Sequence, residues 1–136
     1  MTREVAEGGC LCGSIRYEAR GLPIYSMICH CETCRRAAGS PVVAWLTFPK
    51  ESFSFIRGTP SQFQSTPPVT RTFCSRCGTP LTYIHAERAS EIDVTTCSLD
   101  DPNVFPPSHH SWLSDDVSWV RFGDGLPNYE RTSAGG

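Results

Sequence analysis

The fold interpretation depends on the stretch Cys29-His30-Cys31-Glu32-Thr33-Cys34, in which three thiols fall within six residues as C-x-C-x-x-C. A structural zinc ion is bound by four protein ligands, so this stretch is one ligand short of a closed shell. Saturated zinc sites are structural, whereas catalytic sites keep one position open for water or substrate. The stretch therefore predicts a three-thiolate zinc site with an open position.

Four further cysteines form two pairs that lie far apart in the sequence. Cys10 and Cys12 make a C-x-C pair, and Cys74 and Cys77 make a C-x-x-C pair about sixty residues later. Positions i and i+2 of an extended strand share a face, so a C-x-C pair can reach the sulfur separation of about 3.8 Å that a tetrahedral Zn–S site requires. The two pairs predict one four-thiolate structural site, giving two zinc ions per chain.

Length and composition favour one small domain built from short elements. The chain has 136 residues, 11 of them proline and 11 glycine, which implies frequent turns and favours short strands over long helices. We expect a single domain over residues 1–136, with flexible tails at 1–7 and 131–136.

Local patterns predict a mainly β domain with about eight short strands and one short helix. The helix is expected over 33–38 and ends at Gly39. The strands are expected at 14–19, 24–28, 42–48, 52–56, 61–65, 69–73, 81–85 and 91–99. Cys97 is interpreted as a buried strand thiol. The aromatic residues assigned to the core are Trp45, Phe48, Phe53 and Phe55.

Charge and cysteine usage exclude or disfavour several classes of protein. The formal net charge of −2 gives no electrostatic reason to expect nucleic acid. The N-terminus lacks the apolar region of a secretory signal, and no run of 18 apolar residues predicts a membrane span. Eight cysteines in this context favour metal binding in the cytoplasm, with a disulfide scaffold as the alternative. A thiol redox protein is disfavoured because the pattern is not βαβ.

The ordered motifs resemble one known family, that of the glutathione-dependent formaldehyde-activating enzymes, which shares a domain with a vertebrate centromere protein. The resemblance covers about residues 8–129. The motifs that carry it are Gly9-Cys10-x-Cys12-Gly13, Cys29-His30-Cys31-x-x-Cys34-Arg35-Arg36, Phe73-Cys74-x-x-Cys77-Gly78, Ser98-Leu99-Asp100, His110, Trp119 and Gly125-Leu126-Pro127.

The resemblance implies a fold of several short coiled antiparallel β-sheets with zinc knuckles, similar to that of a small zinc-containing Rab exchange factor. It implies a catalytic zinc on Cys29, Cys31 and Cys34. It also implies a structural zinc, whose ligands are Cys10, Cys12, Cys74 and Cys77.

The expected function is that of a zinc-dependent carbon–sulfur lyase acting on a thiol adduct, formed from glutathione and formaldehyde or a related aldehyde. The alternative is a non-catalytic protein-interaction module with two structural zincs, in which a histidine is the fourth ligand of the second zinc. The expected partner is a small-molecule thiol, without nucleic acid or membrane, and a homodimer is left open.

The remaining polar candidates each have a functional and a structural interpretation. The side chain of His30 is expected to point away from the ion, because His30 lies between two ligands. Arg35 and Arg36 either hold a substrate carboxylate or form a solvated basic face. A role near the pocket and ordinary packing remain open for three other histidines, His85, His109 and His110.

Overall fold

The computed structural model describes residues 4–133 and contains ten short strands and one α-helix. The helix α1 spans Glu32–Ala38. The strands are β1 (Val5–Gly9), β2 (Arg16–Arg20), β3 (Tyr25–Cys29), β4 (Val43–Pro49), β5 (Phe53–Arg57), β6 (Ser61–Thr66), β7 (Val69–Phe73), β8 (Pro80–His85), β9 (Glu91–Thr95) and β10 (His109–Ser111). Short 3₁₀ turns lie at Lys50–Ser52, Ala86–Arg88, Thr96–Ser98 and Leu113–Asp115.

The strands form two sheets, and the mainly β prediction is confirmed. The smaller sheet has the order β1-β2-β5 and is antiparallel. The larger has the order β10-β3-β4-β9-β8-β7-β6. Only the pairing of β10 with β3 is parallel; the other neighbours are antiparallel. The helix α1 lies between β3 and β4, which are adjacent in the larger sheet.

The side chains of β4 alternate between the two faces of the larger sheet, because successive side chains of a strand point in opposite directions. Leu46 and Phe48 are fully buried and pack in a cluster with Tyr17 and Phe53 of the smaller sheet. Trp45 belongs to a second cluster, together with the cysteines of the triplet. One face of the sheet therefore carries the main core, while the other carries the three-thiol group.

Of the four aromatic residues expected in the core, two are buried in the main core, and Trp45 is buried in the second cluster instead. Phe48 and Phe53 are buried in the main core, and Phe55 packs against it while partly exposed. Trp45 is also buried, yet its ring lies on the opposite face and lines a cavity. No sequence pattern distinguishes the two faces of β4, since both are mostly apolar.

The structure corrects the prediction of a flexible leader over residues 1–7. Val5–Gly9 form β1, which pairs along its whole length with β2. The amide of Gly21 also donates to the carbonyl of Glu4. At the other end, the carbonyl of Arg131 accepts from the amide of Trp112, and the flexibility expected for 131–136 stays a prediction. Residues 1–3 and 134–136 lie outside the described residues.

The structure also corrects the prediction for Cys97. The strand expected over 91–99 ends at Thr95, and the chain continues as the 3₁₀ turn Thr96–Ser98. Cys97 is exposed on that turn rather than buried in a strand. Within residues 4–133, no helix has the length and apolar character needed to cross a membrane.

Candidate metal centres and the cavity beside them

Two turns, one from each sheet, bring together the four cysteines of the predicted structural site. Cys10 and Cys12 follow β1, and Cys74 and Cys77 follow β7. The four Sγ atoms all lie within 4.8 Å of one another. Cys10 and Cys12 are separated by 3.6 Å between sulfurs, and Cys12 and Cys74 by 3.8 Å. A tetrahedral Zn–S site needs about this separation, so the four thiols could hold a metal ion.

Backbone amides surround these sulfurs, as expected for thiolates. The amides of Arg76 and Cys77 donate to Sγ of Cys74 at 3.3 and 3.4 Å. Gly78 closes this turn with φ of 83°, a conformation that glycine adopts without steric cost. The Thr79 hydroxyl contacts the sulfur of Cys77, and donation from it is the largest cause that lowers the pKa of Cys77 to about 5. The turn therefore favours a charged sulfur at Cys77.

The triplet lies where β3 passes into α1. Cys29 is the last residue of β3, Cys31 is the N-cap of the helix, and Cys34 lies in its first turn. The amide of Cys34 donates to Sγ of Cys31 at 3.3 Å. All three sulfurs lie within 4.8 Å of one another, and two of the three side chains are buried.

Three thiols this close together, two of them buried, cannot all ionise without a cation. The thiols of Cys29 and Cys34 stabilise the thiolate of Cys31 and lower its pKa to about 2. Hydrogen bonding to Cys31 and then Cys34, together with burial, raises the pKa of Cys29 far above its ordinary value. The donor set is soft and carries unbalanced negative charge, which suits a zinc ion. Among the described residues the group contains three cysteines and no histidine.

A buried arginine on β7, which no sequence pattern indicated, contacts the triplet. A guanidinium nitrogen of Arg71 lies 3.8 Å from Sγ of Cys34 and 3.3 Å from the Thr33 hydroxyl. The same guanidinium lies over the ring of Tyr83, 5.0 Å from its centroid. Arg71 therefore places a permanent positive charge beside a sulfur of the triplet. No local pattern signals this contact, because 37 residues separate Arg71 from Cys34.

A cavity of about 640 Å³ opens beside the triplet on the same face of the larger sheet. All three cysteines of the triplet line it, and none of the other four does. Cross-strand neighbours build the wall: Met27 pairs with Trp45, and Tyr25 pairs with Thr47, which pairs in turn with Asp93. The triplet therefore faces a space large enough for a small ligand.

Asp93 is the buried carboxylate of this cavity. Its side chain accepts a hydrogen bond of 2.6 Å from the Thr47 hydroxyl, and only 8% of the residue is exposed. Burial is the main reason that the pKa of Asp93 is raised to about 6. The sequence placed residue 93 in a strand without indicating which face it occupies.

The motifs and the fold agree with one protein family. A family model described as glutathione-dependent formaldehyde-activating enzyme matches residues 5–115. The chain belongs to this family. It is also 35% identical over 79 residues to an uncharacterized lyase of Schizosaccharomyces pombe, covering 58% of this chain and 57% of that protein. The chain thus matches somewhat over half the length of that relative.

A solved structure shows that the fold of this family member occurs elsewhere. The crystal structure of a Rhodobacter sphaeroides protein superimposes with a TM-score of 0.59 at 18% identity. The match covers 90% of this chain and 98% of that chain. At this level of identity the likeness concerns the fold alone.

Two histidines of the family motifs form a hydrogen-bonded chain behind the triplet. Nε2 of His30 lies 2.9 Å from Nδ1 of His110, and Nε2 of His110 lies 2.9 Å from Oδ2 of Asp124. The ring of Phe122 packs against both imidazoles. The side chain of His30 therefore points towards His110 rather than into the three-thiol group. Its position between two cysteines led us to expect this.

The other candidate residues have mostly structural surroundings. Arg36 pairs with Glu32 at 3.0 Å on the exposed side of α1, and neither Arg35 nor Arg36 lines the cavity. His85 ends β8 and accepts from the amide of Glu87. His109 is different, because it is buried and lines the cavity.

Proposed function

We propose that this family member is a zinc-dependent carbon–sulfur lyase that acts on the adduct of a thiol and an aldehyde. In this proposal Cys10, Cys12, Cys74 and Cys77 bind a structural zinc, and Cys29, Cys31 and Cys34 bind a catalytic one. The family description suggests glutathione and formaldehyde as the first pair to test. The observation that carries the proposal is that, of the two cysteine groups within residues 4–133, the three-thiol group alone lines the cavity.

The bond changes of the reaction are few. In the lyase direction the carbon–sulfur bond of the adduct breaks and the sulfur leaves as a thiolate. The hydroxyl group on the same carbon loses its proton as the carbonyl double bond forms. A zinc ion with three thiolate ligands and an open position supplies Lewis acidity and stabilises a thiolate at neutral pH.

The residues of the chain hold the reactants and exclude water. Trp45 and Met27 form an apolar wall beside the cysteines, and Trp112 packs against the same cluster. An apolar surrounding strengthens every electrostatic interaction within the cavity. Arg71 is positioned to offset part of the negative charge of three thiolates through its contact with Cys34. Confinement of both reactants in one cavity adds the gain from proximity.

The proposal also includes a cytoplasmic location, where the eight free cysteines would remain reduced. A homodimer stays a prediction.

The function is tested by comparing Cys31→Ser with Cys97→Ser. Cys97 is an exposed thiol outside both groups, so its replacement is the matched control. Each protein is assayed for adduct formation and cleavage above the uncatalysed rate, using glutathione and other thiols with formaldehyde and larger aldehydes. Zinc per chain and circular dichroism are measured on the same samples.

The lyase proposal expects Cys31→Ser to lose turnover while it stays folded and keeps one zinc. Cys97→Ser should retain both zincs and its turnover. If Cys31→Ser instead loses both zincs and its fold, the division into a structural and a catalytic site is wrong. If two zincs are bound and no thiol–aldehyde pair is turned over by the wild type, the non-catalytic module is favoured.

A further inference from the structure

The carboxylate of Asp93 has acceptor capacity that the protein does not use. Among residues 4–133, the Thr47 hydroxyl is its one hydrogen-bond donor, and it contacts a single carboxylate oxygen. An ionised carboxylate accepts at both oxygens, so the second oxygen of Asp93 is free to accept from a ligand. Asp93 is more than nine-tenths buried and lines the cavity, so a ligand in the cavity can supply the missing donor.

His109, which lines the same cavity, carries a second unused acceptor. The Ser108 hydroxyl donates to the carbonyl of Ser26, so it accepts from Nδ1 of His109 at 3.0 Å. This arrangement makes Nδ1 the protonated nitrogen and leaves a lone pair on Nε2. Nε2 is buried and has no hydrogen-bond partner among the described residues. His109 therefore has an unused acceptor, in a residue that lines the cavity.

The charged side chains that line the cavity itself are mostly negative. Its lining contains four carboxylates and one guanidinium within the described residues: Glu32, Glu91, Asp93, Asp115 and Arg88. Arg88 is already paired with Glu91 at 3.5 Å, and Glu32 is paired with Arg36 outside the cavity. Asp93 and Asp115 therefore have no guanidinium partner, and a ligand with several carboxylates would meet like charge.

The strand register fixes how far Asp93 lies from the triplet. Cys29 lies four residues along β3 from Tyr25. Tyr25 pairs with Thr47 on β4, and Thr47 pairs with Asp93 on β9, so two strand spacings separate Tyr25 from Asp93. This corresponds to about 13 Å along the strands and about 10 Å across them. Side chains at both ends extend into the cavity, so a ligand that joins them spans on the order of 10 Å.

We propose that the cavity selects an extended aminothiol, whose ammonium group binds Asp93 while its sulfur lies at the triplet. The sulfur end rests on the proposed function, whereas the ammonium end does not. Asp93 is then a specificity-determining residue, held in place by Thr47. Glutathione also carries an ammonium group, but it brings two carboxylates into a cavity already rich in them.

The test uses a series of unbranched thiols that end in an ammonium group and a matched series that ends in a hydroxyl group. Dissociation constants for the zinc-loaded protein are measured by calorimetry at pH 7.5 as the chain is lengthened. The same titrations are made with Asp93→Asn and with Asp101→Asn, an exposed carboxylate outside this cavity that serves as control. Glutathione and thiols ending in a carboxylate are included.

The amine should bind more tightly than the matched alcohol by roughly ten-fold to a hundred-fold, since hydrogen bonds to charged groups are strong. The preference should peak at a chain of about six carbons, which matches the span of the cavity. It should disappear in Asp93→Asn and persist in Asp101→Asn. A ratio near one at every length, or a peak that survives in Asp93→Asn, overturns the proposal. Tighter binding of carboxylate thiols or of glutathione also overturns it.

Turnover measured in parallel separates this inference from the proposed function. Turnover together with a flat amine-to-alcohol ratio overturns the role of Asp93 and leaves the lyase intact. Amine binding that depends on Asp93, without turnover of any thiol–aldehyde pair, supports the role of Asp93 and contradicts the lyase.

Discussion

The buried carboxylate of Asp93 lowers the free energy of unfolding at neutral pH. Burial raises the pKa of Asp93 to about 6, with Thr47 and Arg88 lowering it and Glu91 raising it. Because this pKa is above its unfolded value, the contribution of Asp93 to stability is complete below about pH 3.8 and is lost as the pH rises through 6. At neutral pH the folded protein therefore holds a carboxylate that it would be more stable without.

Replacing Asp93 with Asn should stabilise the protein at high pH. Asn keeps the shape and can still accept the hydrogen bond from Thr47, yet it carries no charge. The gain in the free energy of unfolding should be at most about 3 kcal/mol at pH 8 and roughly half of that at pH 5. Chemical denaturation of both proteins at each pH measures it. A variant no more stable than the wild type at pH 8 would show that Asp93 is not desolvated.

Sequence patterns predicted the cysteine groups but not the polar residues around them. Spacing brings Cys29, Cys31 and Cys34 together because they are local, so short-range geometry suffices. Arg71 and Asp93 reach the site through strand order, which the sequence does not reveal. Both lie in segments predicted as strands, and only the sheet shows which face each residue occupies.

Among the elements, α1 was predicted well because its end has a strong local signal. The helix was expected over 33–38 and spans Glu32–Ala38, with Gly39 following in a left-handed conformation at φ of 62°. Strands β1 and β10 were missed for different reasons. The first ends in two glycines and does not alternate between apolar and polar residues, while the second has three residues and pairs in parallel with β3.

The helix end provides a prediction that involves no metal ligand. A Cβ at Gly39 would meet no atom within 4 Å, so Gly39→Ala introduces backbone strain without a clash. We expect a loss of about 1 kcal/mol in the free energy of unfolding, because only glycine adopts this conformation without cost. Urea denaturation measures the loss. An unchanged midpoint would mean that the helix ends differently in solution.

For the whole molecule, the four-cysteine group joins the two sheets. Cys10 and Cys12 extend from the smaller sheet, and Cys74 and Cys77 extend from the larger. The sequence predicted this pairing of distant segments, since neither pair can close a tetrahedral shell alone. It did not predict the cavity, which five strands of the larger sheet line together.

Loss of the four-cysteine group should therefore be more harmful to the fold than loss of the triplet. We expect Cys12→Ser to lower the free energy of unfolding by several kcal/mol, since metal binding at a structural site is coupled to folding. Cys31→Ser should cost clearly less. Thermal unfolding of both variants, each with its zinc content measured, compares the two sites. Equal losses would indicate that both groups are structural.

In the proposed arrangement, one zinc is enclosed by sulfur and the other has room for a substrate. X-ray absorption at the zinc edge measures the number of sulfur ligands directly on protein that carries two zinc ions. We expect about 3.5 sulfur ligands per zinc before a thiol is added, the mean of a four-sulfur and a three-sulfur site, and about 4 afterwards. Four sulfurs per zinc from the start, or a number that no thiol changes, would show that the two sites do not differ in this way.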